Sequence, residues 1–277
     1  MDVTERDVTL PDGRRLHVYD TGPSAGPVVH WHHGTPNIGT PPAPLFAAAE
    51  RLGVRWISHD RPGYGPSSPH AGRDVASAAG DAAAVADALG VERFAVMGHS
   101  GGAPHALACA ALLTGRVTRA VCGAGLAPFG ADGLDWFAGM TPSGAASLRA
   151  ARRGRAAKEA HEASAAYDPE MFTPSDHAAL VGEWSWFDAV VGPAVASNEG
   201  GPIDDDLAYV APWGFAPAQV AAPVVVLHGA DDRVVPHAHG AWLAAHLPDA
   251  ELRTVPSAGH IAVLAEAPAA LEWLAGC

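Results

Sequence analysis

Through most of the chain, short apolar runs and longer helical stretches take turns, and the periodicity changes at glycine, proline or polar turns. Arg6–Leu10 and Arg14–Asp20 alternate apolar and polar positions around Pro11-Asp12-Gly13, which predicts an antiparallel hairpin. Pro27–His33 (PVVHWHH) reads as a third strand that stops at Gly34-Thr35-Pro36, and a helix is expected over Pro42–Leu52. Val54–His59 is a further buried strand, closing on Asp60-Arg61-Pro62-Gly63-Tyr64-Gly65, and an alanine-rich helix follows over Arg73–Leu89. Phe94–Met97 is again a strand; it breaks at Gly98-His99-Ser100-Gly101-Gly102, and helical sequence continues to Leu112 before a strand at Val117–Ala124. Strands alternating with helices of this length imply an α/β fold, a mostly parallel, doubly wound sheet covered on both faces. In such sheets the chemistry gathers beyond the C-terminal strand ends. His33-Gly34-Thr35, Asp60 and Ser100 all fall there.

The alternation stops at Leu126. From there to about Phe215 the pattern is helical without a strong strand: Ser143–Ala166, Ser175–Gly182 and Glu183–Ser197 are the predicted helices. Four of the eight tryptophans fall in this stretch, Trp136, Trp184, Trp186 and Trp213. The strand pattern resumes at Pro223–His228 (PVVVLH), followed by a helix at His237–His246, a strand at Glu251–Val255 and a helix over Ile261–Ala275. Residues 1–125 and 216–277 are therefore read as one α/β core, and residues 126–215 as a helical cap inserted into it. An aromatic-rich insertion directly after the 94–124 unit suits a lid over a site, so the four tryptophans are the expected substrate-binding residues.

The 98–102 segment is G-x-S-x-G between a buried strand and a helix, the context in which this pattern makes a nucleophile elbow. The five-residue pattern alone is weak in so glycine-rich a chain, and its partners must come from elsewhere. A hydroxyl is a poor nucleophile at neutral pH and needs a base, and the base needs an acceptor to fix its tautomer. Asp231 and Asp232 stand at the end of the 223–228 strand, and His260 follows the next one in Ser257-Ala258-Gly259-His260. The order serine, acid, histidine, each at a strand end, predicts the catalytic set Ser100, Asp232 and His260. The amides of Gly101, at a helix N-terminus, and Thr35 are the expected oxyanion donors; Pro36 has no N–H to give. His30 and His32 share one strand face and His33 the other, with no carboxylate or cysteine beside them, so no metal site is expected and His33 is read as a support of the oxyanion loop. His99 is read as a residue that packs within the elbow or supports the site from behind.

Composition narrows the setting. The 277 residues are 48% hydrophobic and 17% charged, enough to bury a substantial core, with a net charge of −13. The one dense basic run, Arg149–Lys158, is too short for a nucleic-acid surface. Three cysteines, Cys109, Cys122 and Cys277, cannot all pair, so a reducing compartment fits. MDVTERDVTL carries no apolar leader and no run suits a membrane span, giving the expectation of a cytoplasmic protein that acts on a small molecule. Nothing in the sequence fixes an oligomeric state.

With HGTP at 33–36, DRPGYGPS at 60–67, GHSGG at 98–102, HGADDRVVP at 228–236 and AGH at 258–260, the chain resembles the α/β-hydrolase superfamily from about residue 6 to 275. The resemblance implies the α/β-hydrolase fold, an oxyanion hole from the amides of Thr35 and Gly101, and an acid three residues after Gly229, which is Asp232. It gives the DRPGYG segment no catalytic role. Aspartate-nucleophile members, the haloalkane dehalogenases and most epoxide hydrolases, are disfavoured by Ser100. Proline iminopeptidases are disfavoured by HGTPN and Gly101, where they carry HGGPG and tryptophan. The expected activity is hydrolysis of a carboxylic ester or lactone without metal or organic cofactor. A C–C bond or amide hydrolase using the same residues is the alternative, although meta-cleavage C–C hydrolases commonly carry asparagine where this chain has His99. Outside the enzymes, a ligand receptor on this fold is the rival.

Overall fold

The computed structural model describes residues 1–196 and 200–276. Cys277 and Ser197, the end of a predicted helix, lie outside the described residues.

The strands are β1 (Thr4–Thr9), β2 (Arg15–Asp20), β3 (Val28–His32), β4 (Arg55–His59), β5 (Phe94–His99), β6 (Val117–Gly123), β7 (Val224–Gly229) and β8 (Ala250–Val255). They form one sheet in the order β1-β2-β4-β3-β5-β6-β7-β8. The β1–β2 and β2–β4 pairings are antiparallel and the others parallel. The apolar runs explain the middle of this order, since β5 and β7 are buried at every position. The edge strand β1 is instead mostly exposed and carries Glu5, Arg6 and Asp7, charges that discourage pairing with another chain.

Three α-helices precede residue 126: α1 (Phe46–Leu52), α2 (Ser77–Ala88) and α3 (Gly102–Leu112). Among the described residues of 126–215 there are five: α4 (Pro142–Arg152), α5 (Arg155–Glu162), α6 (Pro174–Val181), α7 (Phe187–Ala196) and α8 (Gly201–Tyr209). Two follow, α9 (His237–His246) and α10 (Ala267–Ala275). Alternate strand residues feed opposite faces. Val29, Trp31 and Met97 meet α1 and α10 through Ala49, Leu271 and Leu274, whereas Ile57, Val96 and Cys122 meet α2, α3 and α9 through Ala82, Leu107 and Leu243. Cys109 and Cys122 are buried free thiols.

The 126–215 segment is helical and, among the described residues, holds no strand. Trp136, Met140, Tyr209 and Trp213 pack with Val75, Ala108 and Val235, and Trp184 and Phe187 join the cluster that holds Ile261 and Leu264. It therefore sits over the loops that leave β5, β7 and β8. Several boundaries differ from the expected ones. The predicted helix 143–166 is two helices, α4 and α5, because Gly154 adopts φ 101°, outside the helical region. α8 was not predicted; its Gly200-Gly201-Pro202 start reads as a loop, yet proline is well suited to a first helical turn. The final helix begins at Ala267 after a 3₁₀ turn over Ala262–Glu266. Among the described residues no helix is long and apolar enough to cross a membrane.

Candidate active site

Ser100 leaves β5 at φ 55°, a left-handed conformation that a side-chain-bearing residue rarely holds. It is fixed there by its amide, which donates to Gly123 O at 2.8 Å, and by its carbonyl, which accepts from Ala103 N at 3.0 Å. The flanking glycines make the turn possible. A β-carbon at Gly98 would overlap the Gly102 carbonyl, and one at Gly102 would overlap the carbonyl of His32 in β3.

Asp232 follows β7 and is buried. Its Oδ1 accepts the amides of Val234 and Val235, both at 2.9 Å, and its Oδ2 lies 2.7 Å from His260 Nδ1. Burial opposes ionisation here, but the imidazoles of His260 and His228 hold the carboxyl below its ordinary range. A carboxylate at that distance fixes the proton on His260 Nδ1 and leaves Nε2 as the free base. Asp231 is exposed and uses its amide to bond Ala258 O at 2.9 Å. Ser100 and His260 line the same cavity of about 400 Å³. No hydrogen bond joins Ser100 Oγ to His260 among the described residues, and such contacts commonly tighten only around a substrate.

Two neighbours brace His260, and of these only Asp176 went unrecognised in the sequence. His99 Nε2 donates to the His260 carbonyl at 2.9 Å, and its pKa falls to about 3 through burial and the adjacent imidazole. Asp176, fully buried at the start of α6, accepts the amides of Ile261 and Ala262 at 2.7 and 2.8 Å. The same carboxylate accepts the Thr173 amide in a capping box, so one side chain ties the insertion to the histidine loop. The spacing Thr173-x-x-Asp176 signals the cap, but nothing in the sequence signals its long-range partner.

The loop after β3 is held from behind. Arg61 N donates to His33 Nε2 at 3.0 Å, which puts the proton of His33 on Nδ1 and lets it donate to Gly34 O at 2.8 Å. The Arg61 guanidinium also donates to the carbonyls of His33 and Gly34, the latter at 3.2 Å. Among the described residues neither the Thr35 nor the Gly101 amide donates to an acceptor. Both residues line a second cavity of about 410 Å³ that also reaches Ser100.

The two cavities differ in chemistry. The one shared with His260 is walled by Phe172, Leu180, Phe187, Val191 and Ile261. The other runs past Leu126 and Leu148 to Ser147, Lys158, Glu162 and Asp206. Lys158 Nζ lies 2.5 Å from both Glu162 Oε1 and Asp206 Oδ2; burial opposes its charge, but the two carboxylates raise its pKa.

None of the four tryptophans lines either cavity. Trp136, Trp184 and Trp213 are 3–4% exposed, and Trp186 packs against the same core as Trp184. Their large rings fill the junction between insertion and sheet; Trp136 Nε1 donates to Ala127 O at 2.8 Å and Trp213 Nε1 to Tyr209 O at 3.3 Å. The Phe and Tyr side chains at the cavities are Tyr167, Phe172, Phe187 and Tyr209. Trp136→Ala is accordingly expected to lose about 3–5 kcal/mol of stability with an unchanged chain-length profile. Urea unfolding together with an ester series checks both halves of that statement.

His30, His32 and His59 cluster inside the sheet face opposite His33. The His30 and His32 rings stack at 4.8 Å, and His30 Nε2 lies 3.1 Å from His59 Nδ1. Among the described residues no group of three or more His, Cys, Asp or Glu is arranged to hold a metal ion.

Known proteins resemble this chain along most of its length. A non-heme chloroperoxidase of Streptomyces lividans is 30% identical over 252 residues, covering 87% of each chain. A 2-hydroxy-6-oxononadienedioate/2-hydroxy-6-oxononatrienedioate hydrolase of Cupriavidus pinatubonensis is 29% identical over 276 residues, 93% of this chain and 89% of that one. A bifunctional esterase/perhydrolase of Acinetobacter calcoaceticus is 28% identical over 235 residues, 83% of each. The family model for the alpha/beta hydrolase fold matches residues 27–267, the span that runs from the first parallel strand through the His260 loop, so the chain belongs to the α/β-hydrolase family.

Proposed function

We propose that this protein is a serine hydrolase that cleaves a carboxylic ester or lactone through Ser100, His260 and Asp232. The observation that carries the reading is the 2.7 Å Asp232–His260 contact, with His260 and Ser100 lining one cavity. His260 Nε2 removes the Ser100 proton as Oγ attacks the acyl carbon. The tetrahedral oxyanion is received by the amides of Thr35 and Gly101, groups with no other acceptor to lose. His260 then protonates the leaving alkoxide, and water repeats the sequence in reverse to release the acid. Since His260 lines only the apolar cavity, the leaving group sits toward Phe172 and Phe187, with the acyl portion on the Gly101 side. Residues 126–215 act as the lid that walls both cavities. The esterase activity in the name of the Acinetobacter relative supports the ester reading over an amide one.

The two adjacent aspartates test the assignment. Asp232→Asn keeps the shape but loses the charge that holds the imidazole in its working tautomer, and kcat is expected to fall about 10³- to 10⁴-fold. Asp231→Asn changes kcat less than about tenfold, because an exposed carboxylate is screened by water and salt. Both are assayed on p-nitrophenyl butyrate from about pH 6 to 9. A crippled Asp231→Asn beside an active Asp232→Asn overturns the triad. A single slow turnover by the unaltered protein, with no steady state, means a ligand receptor rather than an enzyme.

A further inference from the structure

We propose that Asp205 of α8 and Arg61 form a positioning clamp that aims the Thr35 amide at the substrate carbonyl, which makes the insertion part of the oxyanion hole; this rests on the acyl-transfer reading above. Asp205 is fully buried. Its carboxylate lies 2.6 Å from Arg61 Nη2, 2.6 Å from Arg73 Nη2, 2.6 Å from Tyr64 Oη and 2.5 Å from Thr35 Oγ1. A buried ion-pair network of this kind adds little to stability compared with apolar packing of the same volume, so gluing α8 to the core is a poor account of it.

The direction of the bonds gives a better account. They converge from two sides on residues 33–35. Arg61 and His33 hold the Gly34 carbonyl, and Asp205 holds the Thr35 hydroxyl. The Gly34 carbonyl and the Thr35 N–H belong to one planar trans peptide and point in opposite directions. Fixing the carbonyl toward Arg61 therefore turns the N–H the other way. Tyr209, one turn along α8 from Asp205, extends the grip to the second donor residue. Its hydroxyl lies 2.9 Å from both Gly101 O and Thr35 Oγ1. A β-carbon at Gly101 would overlap that hydroxyl, so glycine is required where the tyrosine reaches in.

The test changes the grip without unpairing the buried charges. Thr35→Val removes the hydroxyl and Thr35→Ser keeps it, while Asp205 retains both arginines in each. With p-nitrophenyl butyrate, Thr35→Val is expected to lower kcat about 10- to 100-fold with KM within about twofold, and Thr35→Ser to keep kcat within about threefold. Inhibition by phenylboronic acid, which forms a tetrahedral adduct on a serine, should weaken in proportion to kcat/KM in Thr35→Val. Full kcat in Thr35→Val, equal damage in both variants, or an effect confined to KM overturns the clamp. Hydrogen exchange of the 33–37 amides reads the clamp without any substrate: about tenfold faster in Thr35→Val and unchanged in Thr35→Ser is the expected result, and equal exchange in all three proteins overturns it. Failure of the acyl-transfer reading itself shows separately, as an unaltered protein that takes up no fluorophosphonate at Ser100.

Discussion

Ser100→Ala is expected to lower kcat for p-nitrophenyl butyrate by about 10⁴- to 10⁶-fold, the largest loss any single side chain in this protein should cause. Among the described residues, Ser100 is the serine that shares a cavity with His260. Its neighbours in the elbow are glycines and His99, and the side chain of His99 is occupied by the His260 carbonyl. The fold should be indifferent to the change. The Ser100 hydroxyl makes no hydrogen bond among the described residues, and alanine carries the same β-carbon at the same φ of 55°. The melting temperature should therefore stay within about 3 °C of the unaltered protein. Ser100→Gly is equally inactive but relieves the left-handed strain, and it should melt higher than the alanine variant. A fluorophosphonate adduct located by mass spectrometry on Ser100, and absent from the alanine variant, ties the loss to the nucleophile. Turnover above about a tenth of normal in Ser100→Ala would mean that acyl transfer does not pass through this hydroxyl.

Much of this site is written in short stretches of sequence, and the remainder is not, for a physical reason. The elbow is local: strand, tight turn and helix lie within 94–112, and the glycines at 98 and 102 are needed within that span and against its next strand. The positions of Asp232 and His260 follow from strand ends, which apolar runs mark well. Asp205 and Asp176 are different. Asp205 meets Arg61 across 144 residues and Asp176 meets Ile261 across 85. In sequence Asp204-Asp205-Asp206 is only a run of three carboxylates, and the fold shows Asp205 to be fully buried. The tryptophans fail in the opposite sense. A large ring in an insertion suits a pocket wall or a core equally well, and the decision depends on how helices dock. Phe172 and Phe187 won the cavity positions, while Trp136, Trp184 and Trp213 fill the junction beneath. The division of 143–166 into two helices turned on the single backbone torsion of Gly154.

The buried histidines lead to a second large effect, the loss of the folded state in mild acid. His30, His32, His33, His59, His99, His105 and His239 are each at most 2% exposed. Burial pushes all seven pKa values down: to about 3 for His59, His99 and His105, to about 4 for His239, and well below the ordinary value for the other three. In the unfolded chain each would titrate near 6.5. Above that pH both states hold neutral rings, and the histidines leave stability unchanged. As pH falls below 6.5 the unfolded chain takes up protons that the folded one refuses, so stability falls with pH. At pH 5 each of His59, His99, His105 and His239 favours unfolding by about 2 kcal/mol, the four together by about 8 kcal/mol, and the other three rings push the same way. That matches the whole net stability of a typical domain, about 5–15 kcal/mol. The opposing terms come from carboxyls that burial raises, Asp60, Asp204 and Asp206, and from one partnered histidine. Asp60, raised to about 6 by burial, returns only about 1 kcal/mol at pH 5. His17, partly buried between the exposed Asp7 and Glu5, has its pKa raised despite burial and also favours folding at low pH, but its partners are screened by solvent. The urea midpoint should therefore fall steeply between pH 7 and pH 5, with about six protons taken up on unfolding near pH 5.5. Replacing one ring that carries no proposed catalytic role, as in His59→Gln, should lower that uptake by about one proton even if it also lowers stability at pH 8. A urea midpoint that is the same at pH 8 and pH 5, or an uptake below about two protons, would mean that these rings are protonated in the folded protein and that the interior around β3 and β4 is far more polar than its packing indicates.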